Sequence, residues 1–127
     1  MVRQTKQRSA IRSAILAAAG PLSAQEILHL AKRKVQGLGL ATVYRSVKSM
    51  VDQGELVPVE VPGEPPRYEA AGKEHHHHFL CRSCSRLFDL QGCAGDFRSL
   101  LPAGFTLESH ELTLVGVCAP CGKRRRA

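Results

Sequence analysis

Several things are missing from this 127-residue sequence, and each absence narrows its function. It has no apolar run long enough to cross a bilayer, no leader of the charged-then-apolar kind and no lipidation motif, so a cytoplasmic chain without a membrane partner is expected. There is no His-Glu-x-x-His string and no evident pairing of a nucleophile with a base. A zinc hydrolase, or any enzyme, is therefore a poor reading. Internal repeats and low-complexity linkers are also absent. The sequence is too short to bury a large core in each half of a two-domain split, so a staple is expected. Disulfides are a poor candidate for that staple, because five cysteines leave one over and a reducing cytosol keeps thiols free.

What is present is concentrated in one stretch, Glu74-His75-His76-His77-His78-Phe79-Leu80-Cys81-Arg82-Ser83-Cys84. A second Cys-x-x-Cys, Cys118-Ala119-Pro120-Cys121, follows 33 residues after the first. Four thiolates in two such knuckles enclose one tetrahedral cation, and closed four-cysteine sites of this kind hold structural Zn2+. The remaining cysteine, Cys93, reads as a small buried apolar residue rather than a redox sensor.

The net charge of +7 is unevenly spread. Residues 1–58 carry nine Lys/Arg against three Asp/Glu, whereas residues 59–127 carry nine against eight, four of the nine lying in the tail Lys123 to Arg126. A basic first half suits a polyanion.

That half also has the pattern of a DNA reader. Ile11, Ala14, Ile15 and Ala18 recur at helical spacing until Gly20-Pro21, and Ser23-Ala24-Gln25-Glu26 is a capping box opening a second helix to about Val35. From Ala41 to Gln53 the apolar positions Val43, Val47, Met50 and Val51 share one side, while Thr42, Tyr44, Arg45, Lys48 and Ser49 share the other. Leu56 to Val61, a Pro62-Gly63-Glu64-Pro65-Pro66 turn and Arg67 to Ala70 read as a hairpin. Three helices and a two-stranded wing predict a winged helix-turn-helix over residues 1–70, in which the third helix enters the major groove. Thr42, Tyr44, Arg45 and Lys48 are the candidate DNA contacts, with Arg3, Lys6 and Arg8 as further phosphate contacts.

After a boundary at Ala70 to Lys73, residues 74–127 read as a small α/β unit. Strands are predicted over His75 to Cys81 and Arg86 to Leu90, a short helix over Ala94 to Leu101, and one or two strands over Thr106 to Val117. The class is thus α+β. In a strand, His75 and His77 point to one face and His76 and His78 to the other, so the run predicts two metal sites, or one site and an unused pair. The available partners are Glu69, Glu74, Asp89, Asp96, Glu108 and His110, and the N/O donors suit Fe2+, Mn2+ or Zn2+.

Taken together, Arg3-Gln4-Thr5-Lys6-Gln7-Arg8, Leu22-Ser23-Ala24-Gln25-Glu26, Gly39-Leu40-Ala41-Thr42-Val43-Tyr44-Arg45, Arg67-Tyr68-Glu69, the His run and both knuckles make a sequence that resembles the ferric uptake regulator family of bacterial metal-dependent transcription factors. The resemblance implies a homodimer whose second domain is the dimerisation domain. It further implies binding to an AT-rich inverted repeat in double-stranded DNA when a regulatory metal is bound, usually to repress uptake or defence genes. It assigns structural zinc to Cys81, Cys84, Cys118 and Cys121, a regulatory divalent metal to Glu69, His76, His78 and Asp89, and a second site in that domain to His75, His77, Asp96 and His110. Departures are visible too. Many members carry a His just before the second helix, where this sequence has Pro21-Leu22; His29 is a candidate substitute, and the wing Cys of many zinc regulators is absent. Subtype therefore stays open between zinc, iron or manganese, and peroxide sensing. The rival from another class is a metal-storage or metal-delivery protein without DNA binding.

Overall fold

The structure, a computed structural model, describes residues 2–93 and 95–126; the side chains of residues 2–4, 125 and 126, and hence the candidate contact Arg3, lie outside the described residues. The chain divides into two compact units, Met1–Lys73 and Glu74–Ala127.

In the first unit, α1 (Val2–Ala17) begins well before the apolar repeat that announced it, and α2 (Ala24–Ala31) and α3 (Leu40–Asp52) follow. The capping box is formed: the Ser23 hydroxyl accepts from Glu26 N at 3.2 Å, and Ser23 N donates to the Glu26 carboxylate at 2.9 Å. Two orphan amides are thereby satisfied. Ser23→Ala is expected to cost about 1 kcal/mol, read as a lower urea midpoint at unchanged slope. Helix α3 buries Val43, Val47 and Met50 against Ile11, Ile15, Ile27 and Leu56. It ends at Gly54, whose φ of 80° a side chain would strain.

The wing is β2 (Leu56–Val59) paired antiparallel with β3 (Arg67–Ala70), in a register that sets Leu56 opposite Ala70 and Val59 opposite Arg67. Pro58 is tolerated because β2 is an edge strand. A two-residue strand, β1 (Leu22–Ser23), completes the sheet on the other side of β3, with Leu22 opposite Tyr68.

The second unit is built on a three-stranded sheet with β4 (His76–Cys81) at its centre. Strand β5 (Leu87–Gln91) runs antiparallel to it, and β6 (Thr113–Gly116) runs parallel on its other edge. The short helix foreseen over Ala94 to Leu101 is a single 3-10 turn, Phe97–Leu100, with position 94 outside the described residues. Of the one or two strands foreseen over Thr106 to Val117, one forms, β6. The second knuckle opens a last helix, α4 (Ala119–Arg126).

Candidate metal centres and DNA-reading face

The first knuckle is the turn between β4 and β5. Cys81 N donates to Arg86 O at 3.0 Å, and Ser85 takes a φ of 63° so that its own N–H reaches Cys81 O at 2.8 Å. This turn directs the Cys84 amide at the Cys81 sulfur, at 3.4 Å, and the Cys118 amide reaches the same sulfur from the second knuckle at 3.3 Å. Those two backbone donors, Cys118 first, hold the Cys81 thiol down to about 6, whereas burial pushes the Cys84 thiol up to about 11. The four sulfurs of Cys81, Cys84, Cys118 and Cys121 lie within 4.8 Å of one another. Four thiolates that close repel one another unless a cation neutralises them, and an all-sulfur tetrahedral set fits zinc. Arg124 adds an N–H donor to the Cys121 sulfur at 3.0 Å.

Strand parity sorts the histidines as the sequence predicts. His78 lies directly opposite Asp89 in the β4–β5 register, and His76 is two residues along on the same face. The Asp89 carboxylate is 3.6 Å from His76 Nε2 and 3.5 Å from His78 Nε2. His76 Nδ1–H donates to Glu74 O at 2.8 Å, which leaves the Nε2 lone pair for a cation. Two imidazoles and a carboxylate on one face fit a borderline divalent ion. Glu69, the residue assigned with them, lies on β3 of the other unit, buried, with Lys73 Nζ 3.4 Å from its carboxylate.

On the opposite face the outcome differs from expectation. His75, His77 and His110 converge, but the fourth donor is Cys93 and not Asp96. Asp96 is taken by Arg98: Nε reaches both carboxylate oxygens at 3.0 Å and Nη2 reaches Oδ2 at 2.8 Å, holding the carboxyl down to about 2. Cys93 is exposed, contrary to the buried role assigned to it. A hint was available in the odd cysteine count and in the position of Cys93 just past β5. Burial, then the neighbouring rings of His75 and His110, lower the pKa of His77.

The DNA-reading candidates lie in the first unit. Tyr44, Arg45 and Lys48 are exposed on α3, opposite the buried Val43, Val47 and Met50, and Thr42 beside them is half-buried. Lys6 lies on α1, at the rim of a cleft it shares with Ser9, Ser13 and Lys34. Arg8 is not the free cation that a phosphate contact needs, because its guanidinium bonds Ser49, Gln53 and Glu55. Arg8, with help from Arg12, holds the Glu55 carboxyl below its ordinary range. The position just before α2, where the family resemblance implies a His, is apolar here: Pro21 and Leu22 are buried, and Leu22 is strand-paired. His29 is exposed and joins no cluster of three or more candidate ligands among the described residues.

A winged helix-turn-helix unit and a sheet unit that gathers clustered metal donors define a metal-binding DNA reader. The sequence model of the Ferric uptake regulator family matches residues 1–115, and the chain belongs to that family of metal-responsive, DNA-binding transcriptional regulators. A zinc uptake regulation protein of Mycobacterium tuberculosis is 30% identical over 125 residues, covering 94% of this chain and 95% of that protein. A ferric uptake regulation protein of Campylobacter jejuni is 29% identical over 91 residues, which are 69% of this chain and 58% of that protein, so the chain spans somewhat more than half of that relative. Among solved structures, a zinc-bound manganese uptake regulator superposes with a TM-score of 0.78 at 25% identity, over 88% of this chain and 87% of that one. No helix of the described residues is long and apolar enough to cross a membrane.

Proposed function

We propose that this chain is a cytoplasmic, homodimeric repressor that binds an AT-rich inverted repeat in response to a divalent metal, with Glu69, His76, His78 and Asp89 as the regulatory ligands and the four-cysteine site as structural zinc. The observation that carries the reading is the pairing of Asp89 with both His76 and His78 in a chain whose α3 presents Tyr44, Arg45 and Lys48 to solvent. A cation bound there would supply the positive charge that offsets the two carboxylates. The chain's own part is to bring the donors: β4 and β5 carry His76, His78 and Asp89 on one face, and Glu69 on β3 is the proposed fourth. Metal alters operator affinity only to the extent that it favours the DNA-competent state over the other.

With Pro21-Leu22 where the family resemblance leads one to expect a His, the proposed regulatory set is limited to Glu69, His76, His78 and Asp89. The relatives include zinc, iron and manganese regulators, so the effector is best named by titration. Full-length protein retaining its structural zinc is titrated with Zn2+, Mn2+ and anaerobic Fe2+ against a palindromic AT-rich promoter fragment. One metal is expected to raise affinity by a factor in the range of about 5 to 150, typical of such coupling. In His78→Ala that increment is expected to vanish while the metal-free affinity stays. Equal affinity with and without every metal would overturn the regulatory reading.

A further inference from the structure

The third cluster differs from the one that the family resemblance assigns, and the difference changes its chemistry. Its closest donor pairs are His75 Nε2 to His110 Nε2 at 3.1 Å, Cys93 Sγ to His110 Nε2 at 3.1 Å, and His77 Nε2 to Cys93 Sγ at 3.4 Å. All four donor atoms lie within 4.8 Å of one another. Tetrahedral zinc with its usual bond lengths to nitrogen and sulfur requires donors about 3.3–3.6 Å apart. The cluster is therefore close to the size of a zinc site before any side chain moves.

The supports are specific. His75 and His77 share a face by strand parity, and the loop before β6 delivers His110, whose ring packs on Phe97 with centroids 4.7 Å apart. The Cys93 thiol has the Gly95 carbonyl as its acceptor at 3.6 Å, a weak bond readily given up. Asp96, by contrast, would have to abandon its contacts with Arg98. His77 needs a change of proton position whose direction the hydrogen bonds define. The Leu112 amide donates to its Nδ1 at 3.2 Å, so the neutral ring carries its proton on Nε2, facing the Cys93 sulfur; ligation through Nε2 requires that proton to move to Nδ1 and the Leu112 bond to be given up.

We propose that His75, Cys93 and His110, joined by His77 once its ring proton has shifted to Nδ1, form a three-nitrogen, one-sulfur site for Zn2+, the Cys93 thiol giving its proton to solvent as the metal binds. A thiolate in place of a carboxylate favours zinc over manganese and iron(II), so this site is a zinc site whatever metal serves the His76, His78 and Asp89 cluster. The proposal goes beyond the regulatory reading, and nothing in it requires DNA binding.

The test uses full-length protein holding one zinc per chain in the four-cysteine site, with Co2+ as a spectroscopic stand-in. Saturable Co2+ binding is expected to produce a sulfur-to-cobalt charge-transfer band in the near ultraviolet. Cys93→Ser abolishes it and Asp96→Asn keeps it. A band absent from the parent protein, surviving in Cys93→Ser, or lost in Asp96→Asn overturns the assignment. Zinc competition gives a second reading. Loss of an outer partner alone costs about 10- to 100-fold in metal affinity, so Cys93→Ser is expected to weaken the second zinc by at least about tenfold. Cys93→Asp is expected to keep a metal but to narrow the preference for zinc over manganese. Asp96→Asn weakening zinc more than Cys93→Ser would show the carboxylate to be the ligand.

Discussion

Replacing Cys81 by Ser, or stripping zinc with a strong chelator, is expected to unfold residues 74–127 while residues 1–73 keep their helices. The reason is how little apolar material the second unit buries. In the first unit a dozen residues, from Ala10 to Leu56, form one continuous core. In the second, the buried hydrophobic residues among those described are Leu80, Cys81, Leu87 and Cys121, two of which belong to the four-cysteine cluster. Burying a leucine contributes about 1.5–3 kcal/mol, whereas a structural zinc in a small domain contributes about 10–16 kcal/mol to folding. Metal binding therefore outweighs the core by a wide margin. Cys81 is the most damaging position, because its sulfur collects the amides of both knuckles, and without it the β4–β5 turn and α4 lose their common anchor. Amide NMR of the chelated or substituted protein should show collapsed, random-coil shifts for residues 74–127 and dispersed shifts for 1–73. Dispersed peaks across both units, with an unshifted melting transition, would mean that the four thiols are not what holds the second unit together.

The same contrast explains what the sequence disclosed in advance. Features set by neighbours a few residues apart were legible: the Ser23–Glu26 capping box, the Val43, Val47 and Met50 stripe, and the alternation that sends His76 and His78 to one face of β4. The two Cys-x-x-Cys knuckles were legible because zinc chemistry restricts their spacing. Features that depend on a distant partner were not. Strand β1 exists only because Leu22 and Ser23 meet Tyr68 and Arg67, and two residues carry no periodicity to announce it. Helix α4 carries no apolar periodicity to announce it, and it contains Pro120 and Gly122, although proline is welcome in a first turn. Arg8 looked like a free phosphate ligand until the fold brought Glu55 to it. The exchange of Asp96 for Cys93 has the same origin. Asp96 found a closer cation in Arg98, two residues along, and spacing alone does not rank a local ion pair against a metal.

Arg45→Ala is expected to reduce operator binding sharply while leaving fold and metal affinity intact. Arg45 is exposed on α3, and its Nη2 donates to Thr42 Oγ1 at 3.1 Å, which lays the guanidinium along the face that also carries Tyr44 and Lys48. Truncating it opens no cavity, because the buried side of the helix is Val43, Val47 and Met50. A bidentate arginine–guanine contact is worth about 1–3 kcal/mol of discrimination, and in a dimer reading two half-sites the loss doubles to about 2–6 kcal/mol, or roughly 30-fold and upward in affinity. The loss should be greatest on the operator and small on unrelated DNA. Lys48→Ala should behave differently, weakening both classes of DNA alike and lowering the salt slope by about one per half-site. Fluorescence anisotropy on operator and scrambled duplexes across a salt series separates the two, and metal titration of the same samples reports the sheet unit independently. If Arg45→Ala binds the operator as tightly as the parent while metal binding is normal, α3 is not the reading helix, and a role in holding or delivering metal becomes the better account of the chain.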